Sequence, residues 1–168
     1  MVPDIDLQLE VVGAALRNVV AQADQGGGLS LEQLKLSVVT LDQARSLMPA
    51  QGKIARRELE VSLRMAQAVQ QQLPHAGLDS PIAEASAALE DSKAGPAQLD
   101  AARDGLNGAI GALVAGLPGN DAGRAAMRTI LAYSREALDI ARACCLPAGF
   151  ETDPGEVERL GRIRAEIV

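Results

Sequence analysis

Leu99, Ala102, Leu106, Ile110, Leu113 and Leu117 recur at steps of three and four, and no stretch alternates apolar and polar residues with period two over a useful length. A step of three to four keeps apolar side chains on one stripe of an α-helix, whereas a half-buried strand needs a step of two. The same stripe recurs along the chain and divides it into six or seven helices. Ile5, Leu9, Val12, Leu16, Val19 and Ala23 predict a helix over about 4–23, which the glycines of "DQGGG" at 24–28 stop. Leu31, Leu34, Val38, Leu41 and Met48 predict a second, with Ser30 as its cap, Gln33 completing a capping box and Pro49 at its end. The short link "MPAQGK" predicts antiparallel packing onto a third helix over about 53–73, whose inward positions are Ala55, Leu59, Ser62, Ala66, Val69 and Leu73.

Punctuation places the remaining boundaries. Ser80 as cap and Pro81 at the first helical position open a short helix that runs to about Lys93. Gly95 and Pro96 restart the chain into the fifth helix, "PGND" separates it from a sixth over about 121–146, and Asp153, Pro154 and Glu156 open a last one. Composition agrees with the period: 30 Ala and 22 Leu stand against no Trp, with Tyr133 the only Tyr and Phe150 the only Phe. Alanine and leucine lead the helix propensities, while strands favour aromatic and β-branched residues. The expected fold is all-α, an antiparallel helical bundle of about four long helices plus two or three short ones, in a single domain spanning 1–168.

A net charge of −6 repels phosphate backbones and anionic lipid, which argues against nucleic acid as a partner. The most apolar stretch, Gly105 to Gly119, is too short to span a bilayer, and no N-terminal segment has the pattern of a signal peptide. The expectation is a soluble cytoplasmic protein without a membrane partner. Thirteen Arg against three Lys, with abundant Ala and Gly, point to a high-GC bacterial genome.

Few residues look like chemistry. The adjacent Cys144 and Cys145 both fall inside the apolar arc of the sixth helix, toward its two edges, and read as small core residues. One histidine, His75, in the loop "LPHAGL", supplies neither a base for a thiol nor a zinc site with them. The E-x-x-H pairs of a di-iron bundle are absent, as are G-x-S-x-G, the P-loop, H-E-x-x-H and EF-hand patterns. No metal, cofactor or catalytic residue is assigned, and the balance leans away from an enzyme.

The sharpest signal is Arg124, Arg128, Arg135 and Arg142, which fall within about 40° of one another on the sixth helix, beside Leu131 and Leu138. Such a line suits an anionic ligand or an acidic partner helix. The competing reading is an ion-paired edge, with Asp121 to Arg124 and Asp139 to Arg142 at i,i+3 and Arg135 to Asp139 at i,i+4. The charges of "RRELE" at 56–60 read as solvent-facing decoration, with one exception: Glu58 lies near Ala55 and Leu59 on the wheel, reaches inward and needs an arginine from another helix. Gly105, Gly108, Ala112 and Gly116 predict a close crossing with Ser134, Ala137 and Ala141 of the sixth helix, a pocket being the alternative.

The function expected from this pattern is non-enzymatic: an accessory, adaptor or chaperone-like protein working through helix-face contacts with another protein or a second copy of itself. The terminal helix "EVERLGRIRAEIV", ending in Ile167 and Val168, motivates a homodimer because it needs a surface to cover. The competing class is a binder of a small anionic ligand, or a non-catalytic enzyme subunit, using the arginine edge.

Overall fold

All regular structure is helical in the computed structural model, which describes residues 5–23, 29–74, 77–149 and 151–168, and side chains within 9–21, 33–74, 77–147, 149 and 151–168. Seven α-helices are found among the described residues: α1 (Ile5–Ala23), α2 (Leu29–Leu47), α3 (Gln51–Gln72), α4 (Asp79–Glu90), α5 (Pro96–Ala115), α6 (Asp121–Cys145) and α7 (Pro154–Ile167). They form the all-α bundle expected from the hydrophobic period. Where caps and prolines speak locally, boundaries agree to within a residue or two. Pro96 and Pro154 occupy the first helical turns of α5 and α7, and the Asp153 carboxylate accepts hydrogen bonds from the N–H groups of Gly155 and Glu156 at 2.8 and 3.2 Å. At α4 the expectation fails: the helix begins at Asp79 and ends at Glu90, and the Ser80 hydroxyl bonds the Glu84 carboxylate at 3.0 Å instead of capping. The Ser30 cap, Leu31, His75 and the glycines at 24–28 lie outside the residues or side chains described.

α3 is the axis of the body. α4, α5, α6 and α7 all pack on it, because it is apolar on more than one side: Ala55, Leu59, Val61, Met65, Ala66 and Val69 are all buried. Gln70 meets Asp79 and Arg56 reaches Leu89, so α4 runs antiparallel to α3. α5 then returns in the direction of α3, and α6 reverses again, as the pairs Gln72–Thr129 and Arg64–Glu136 show. The main core lies among α3, α4, α5 and the first half of α6, around Leu59, Leu99, Leu106 and Ala126, each at most 1% exposed. A second cluster of Val61, Ile140, Cys144 and Ile167 joins α3, α6 and α7, and Tyr133 packs against both.

Two expectations about packing are corrected. α2 does not fold back alongside α3. The link is one 3-10 turn, Met48–Ala50, and Leu47, Ala50 and Gln51 all keep right-handed helical dihedrals, so nothing there reverses the chain. Instead α1 packs on α2 as a separate hairpin, held to the body chiefly by the end of α2 and the two 3-10 turns at Met48–Ala50 and Leu146–Ala148. Nor do α5 and α6 cross closely. They flank α3, and a groove of about 390 Å³ separates them, lined by Asn107, Gly111 and Val114 on one side and Tyr133, Ser134 and Ala137 on the other. A Cβ added at Gly105, Gly108 or Gly111 would meet no atom within 4 Å.

A glycine that the sequence did not single out is the one the fold requires. A Cβ at Gly123 would stand 1.9 Å from the carbonyl oxygen of Pro118, where the loop closes over the first turn of α6. The same turn is capped by Asn120, whose side chain accepts from the Gly123 N–H at 3.0 Å. Gly123→Ala is therefore expected to destabilise by about 1–3 kcal/mol in chemical denaturation, as overpacking does. Gly108→Ala should stabilise by about 0.5–1 kcal/mol, since it gains helix propensity in open space. A loss at Gly108 would instead reveal a neighbour pressed against α5.

Candidate functional site

The four arginines of α6 do not form one continuous basic edge. Arg124 pairs with Asp121 and donates to the Gly119 carbonyl at 2.8 Å, closing the loop before the helix. Arg142 is drawn into a network between α6 and α7: it pairs with Glu151, with Glu156 at 3.0 Å and with Asp139 at 3.4 Å, while Arg159 pairs with Asp139 at 2.6 Å and Glu156 at 2.8 Å. The two neighbours at i,i+3 were readable from sequence; Glu151 and Glu156 come from beyond the helix end. Arg128 and Arg135 are exposed and make no hydrogen bond or ion pair among the described residues. The expected Arg135–Asp139 pair is not formed, and Arg135 acts on that carboxylate only through space. Beside these two arginines Leu131 and Leu138 stand 61% and 57% exposed.

The network sets the ionisation of its members. The Arg159 guanidinium bonded to Asp139 holds that carboxyl below its ordinary range, and the same guanidinium does so for Glu156. Arg142 is raised above its ordinary value, first by its hydrogen bond to Glu151. Arg164 adds a further tie, donating to the Cys144 carbonyl at 3.0 Å and so satisfying the end of α6.

Glu58 reaches inward as its wheel position implied, and its partner is Arg103 of α5, both side chains about a quarter exposed. Burial works against the Arg103 charge, but Glu58, Asp104 and Asp100 together more than offset it and raise its pKa. The rest of "RRELE", and Arg64 four residues beyond it, are only partly decoration. Arg56 donates to the Leu89 and Asp91 carbonyls at the end of α4, and Arg64 pairs with Glu136 at 2.6 Å while lying 5.6 Å from the Tyr133 ring centroid.

The cysteines part company. Cys144 belongs to the second cluster, 8% exposed, and burial pushes its thiol pKa up. Cys145 is exposed, contrary to the reading of both as core: it sits where α6 ends, lines a groove of about 520 Å³ with Glu58 and Arg103, and accepts a hydrogen bond from Gln43 of α2 at 3.2 Å. The apolar arc identified both; the position of the helix end decides which one is covered. The apolar stripe that predicts α1 is only partly covered: Leu9 and Leu16 are half-buried, whereas Val12 and Val19 of the same stripe are exposed. The charged side chains of α1 within 9–21 are Glu10 and Arg17, and both are spent on α2, against Arg45 at 3.4 Å and Asp42 at 2.8 Å. On the far side Val11, Val12 and Val19 are 61%, 49% and 48% exposed.

Two measurements check this geometry. In the folded protein a thiol reagent should titrate one fast equivalent, Cys145, with Cys144 reacting only on unfolding; two fast equivalents would place both outside the core. The contribution of Asp139 and Glu156 is fully present above the ordinary carboxylate pKa of about 4 and fades as pH falls through their depressed values. Thermal midpoints should therefore drop below about pH 4, and Arg159→Met should flatten that acid limb; an unchanged limb would assign it to other groups. No family model, curated protein or solved structure matches the chain.

Proposed function

We propose that the protein acts through helix-face contact with another protein rather than by catalysis, and that α1 is the docking helix. The outward face of α1 carries this reading: Val11, Val12, Ala15 and Val19 lie exposed on it, and its neighbouring charges, Glu10 and Arg17, are already paired on the other side. A helix apolar on both faces is ordinarily buried. The partner is a second copy of the chain, because a two-fold axis brings the uncharged face onto itself, whereas a charged partner face would lose hydration without gaining a pair. This replaces α7 as the motive for a homodimer. Leu160 and Ile167 are buried within the chain, at 0% and 4% exposure, which leaves only Val157 and Val168 of the terminal segment's large apolar residues exposed, at 39% and 41%. The described part of α1, residues 9–21, offers a strip of roughly 200 Å², from a length of about 20 Å and a width of about 10 Å. A stable interface takes roughly 800 Å² per partner, so the pairing is weak and concentration-dependent. The setting this reading supports is a bacterial cytoplasmic accessory or adaptor protein, in keeping with the arginine-rich, lysine-poor composition and two free thiols.

A second reading rests on Arg128, Arg135, Leu131 and Leu138. Two uncommitted guanidiniums about 10 Å apart along α6, beside two exposed leucines, fit an acidic amphipathic helix better than a single small anion.

Light scattering from micromolar to millimolar concentration tests the first reading. The mass should rise from monomer toward dimer, and Val12→Glu with Val19→Glu should hold it at monomer with helical content and thermal midpoint retained. A wild-type chain that stays monomeric throughout rules out the second copy, and a double variant that unfolds makes this face part of the core instead.

A further inference from the structure

Two grooves lie along one face of α3. One passes over Ile54 and Glu58 to Cys145; the other, of about 390 Å³, begins one turn further on, over Val61, Ser62 and Met65. Glu58 precedes Ser62 by one turn on α3 and Arg103 precedes Asn107 by one turn on α5, so the Glu58–Arg103 pair closes the end of the second groove. Its floor is apolar and no charged side chain lines it.

Its polar groups are uncommitted. Ser62 is 5% exposed and lines the groove, yet its hydroxyl makes no hydrogen bond among the described residues. A helical serine ordinarily has an outlet in the carbonyl four residues back, as Ser86 uses Ile82 at 2.8 Å, but Ser62 does not take it. The Tyr133 and Ser134 hydroxyls and the Asn107 carboxamide are likewise without partners among the described residues. The Ser62 hydroxyl opens at the floor, with the half-buried Tyr133 and the exposed Ser134 and Asn107 at the rim, and a few polar groups around one apolar floor are the arrangement of a small-molecule site, where they orient a mainly apolar ligand. The volume falls in the range of roughly 300–1,000 Å³ that such sites have.

We infer that this groove binds an uncharged, mainly apolar small molecule carrying a hydroxyl or carbonyl group, which the Ser62 hydroxyl meets at the floor. An anion is disfavoured because no guanidinium lines the groove and the two beside it are engaged, Arg103 by Glu58, Asp100 and Asp104 and Arg64 by Glu136. A partner helix is disfavoured because the ion pair blocks a path along α3. The inference does not depend on α1 or on self-association.

Tyr133 makes the test direct, since it lines the groove and is the only tyrosine in a chain without tryptophan. The probe is prodan, an uncharged naphthalene ketone. Its emission should rise and shift to the blue in a saturable one-to-one titration, with Tyr133 emission falling in step. Gly111→Leu, which extends a side chain from a wall where the backbone is free, should weaken binding at least tenfold. Ser62→Ala should weaken it about fivefold, the loss of one hydrogen bond, and both variants are checked for unchanged helical content. Val12→Glu with Val19→Glu, and excess inorganic phosphate, should leave binding intact. Absence of saturable binding, insensitivity to Gly111→Leu, loss in the α1 variant or displacement by phosphate would each overturn the inference.

Discussion

The apolar surface of α3 is the constraint on which the structure depends. Leu59, Ala66 and Val69 have no exposed surface at all, and α4, α5, α6 and α7 each bury a stripe against this one helix. Full burial of a leucine-sized side chain is worth roughly 1.5–3 kcal/mol, and alternation with alanine lets helices approach without aromatic residues to fill the space. Ala55, Ala66, Ala85 and Ala126 are all at most 4% exposed. That explains how a chain with one Tyr, one Phe and no Trp sustains a core. It also explains the grooves: α5 and α6 both lean on α3, and with little side-chain bulk between them they leave its flank partly open.

Arginine has a structural part in this acidic chain that a count of charges hides. Arg56 and Arg164 satisfy the ends of α4 and α6, Arg103 ties α5 to α3, and Arg142 with Arg159 ties α6 to α7. The planar guanidinium with several donors suits such joints better than an ammonium, in keeping with thirteen Arg against three Lys. Against that background, Arg128 and Arg135 stand out because no carboxylate or carbonyl among the described residues claims them.

The helices were legible because their signals are local. The stripe of α5, the Asp153 cap and the prolines at 96 and 154 each act within one turn, and α6 was placed to within one residue of Asp121–Cys145. What neighbours what was much less so. Small residues on α5 and α6 suggested a mutual crossing, but a glycine says only that something can come near, not which element does, and α3 intervenes. Glu58 could be turned inward from its wheel angle, yet Arg103 lies 45 residues away and nothing local selects it. The arginine edge was half readable for the same reason: Asp121 and Asp139 sit one turn off, Glu151 and Glu156 arrive through tertiary packing. Cys145 was misjudged because an angular arc ignores where a helix stops.

The 3-10 turn at Met48–Ala50 has a mechanical consequence. With no reversal between α2 and α3, the hairpin of α1 and α2 is a lever whose fulcrum is three residues long. For an arm of about 28 Å, a tilt of 10° at the root would displace the tip by about 5 Å, so the seat of α2 on the two 3-10 turns and the Gln43–Cys145 contact set where the valine-bearing face points.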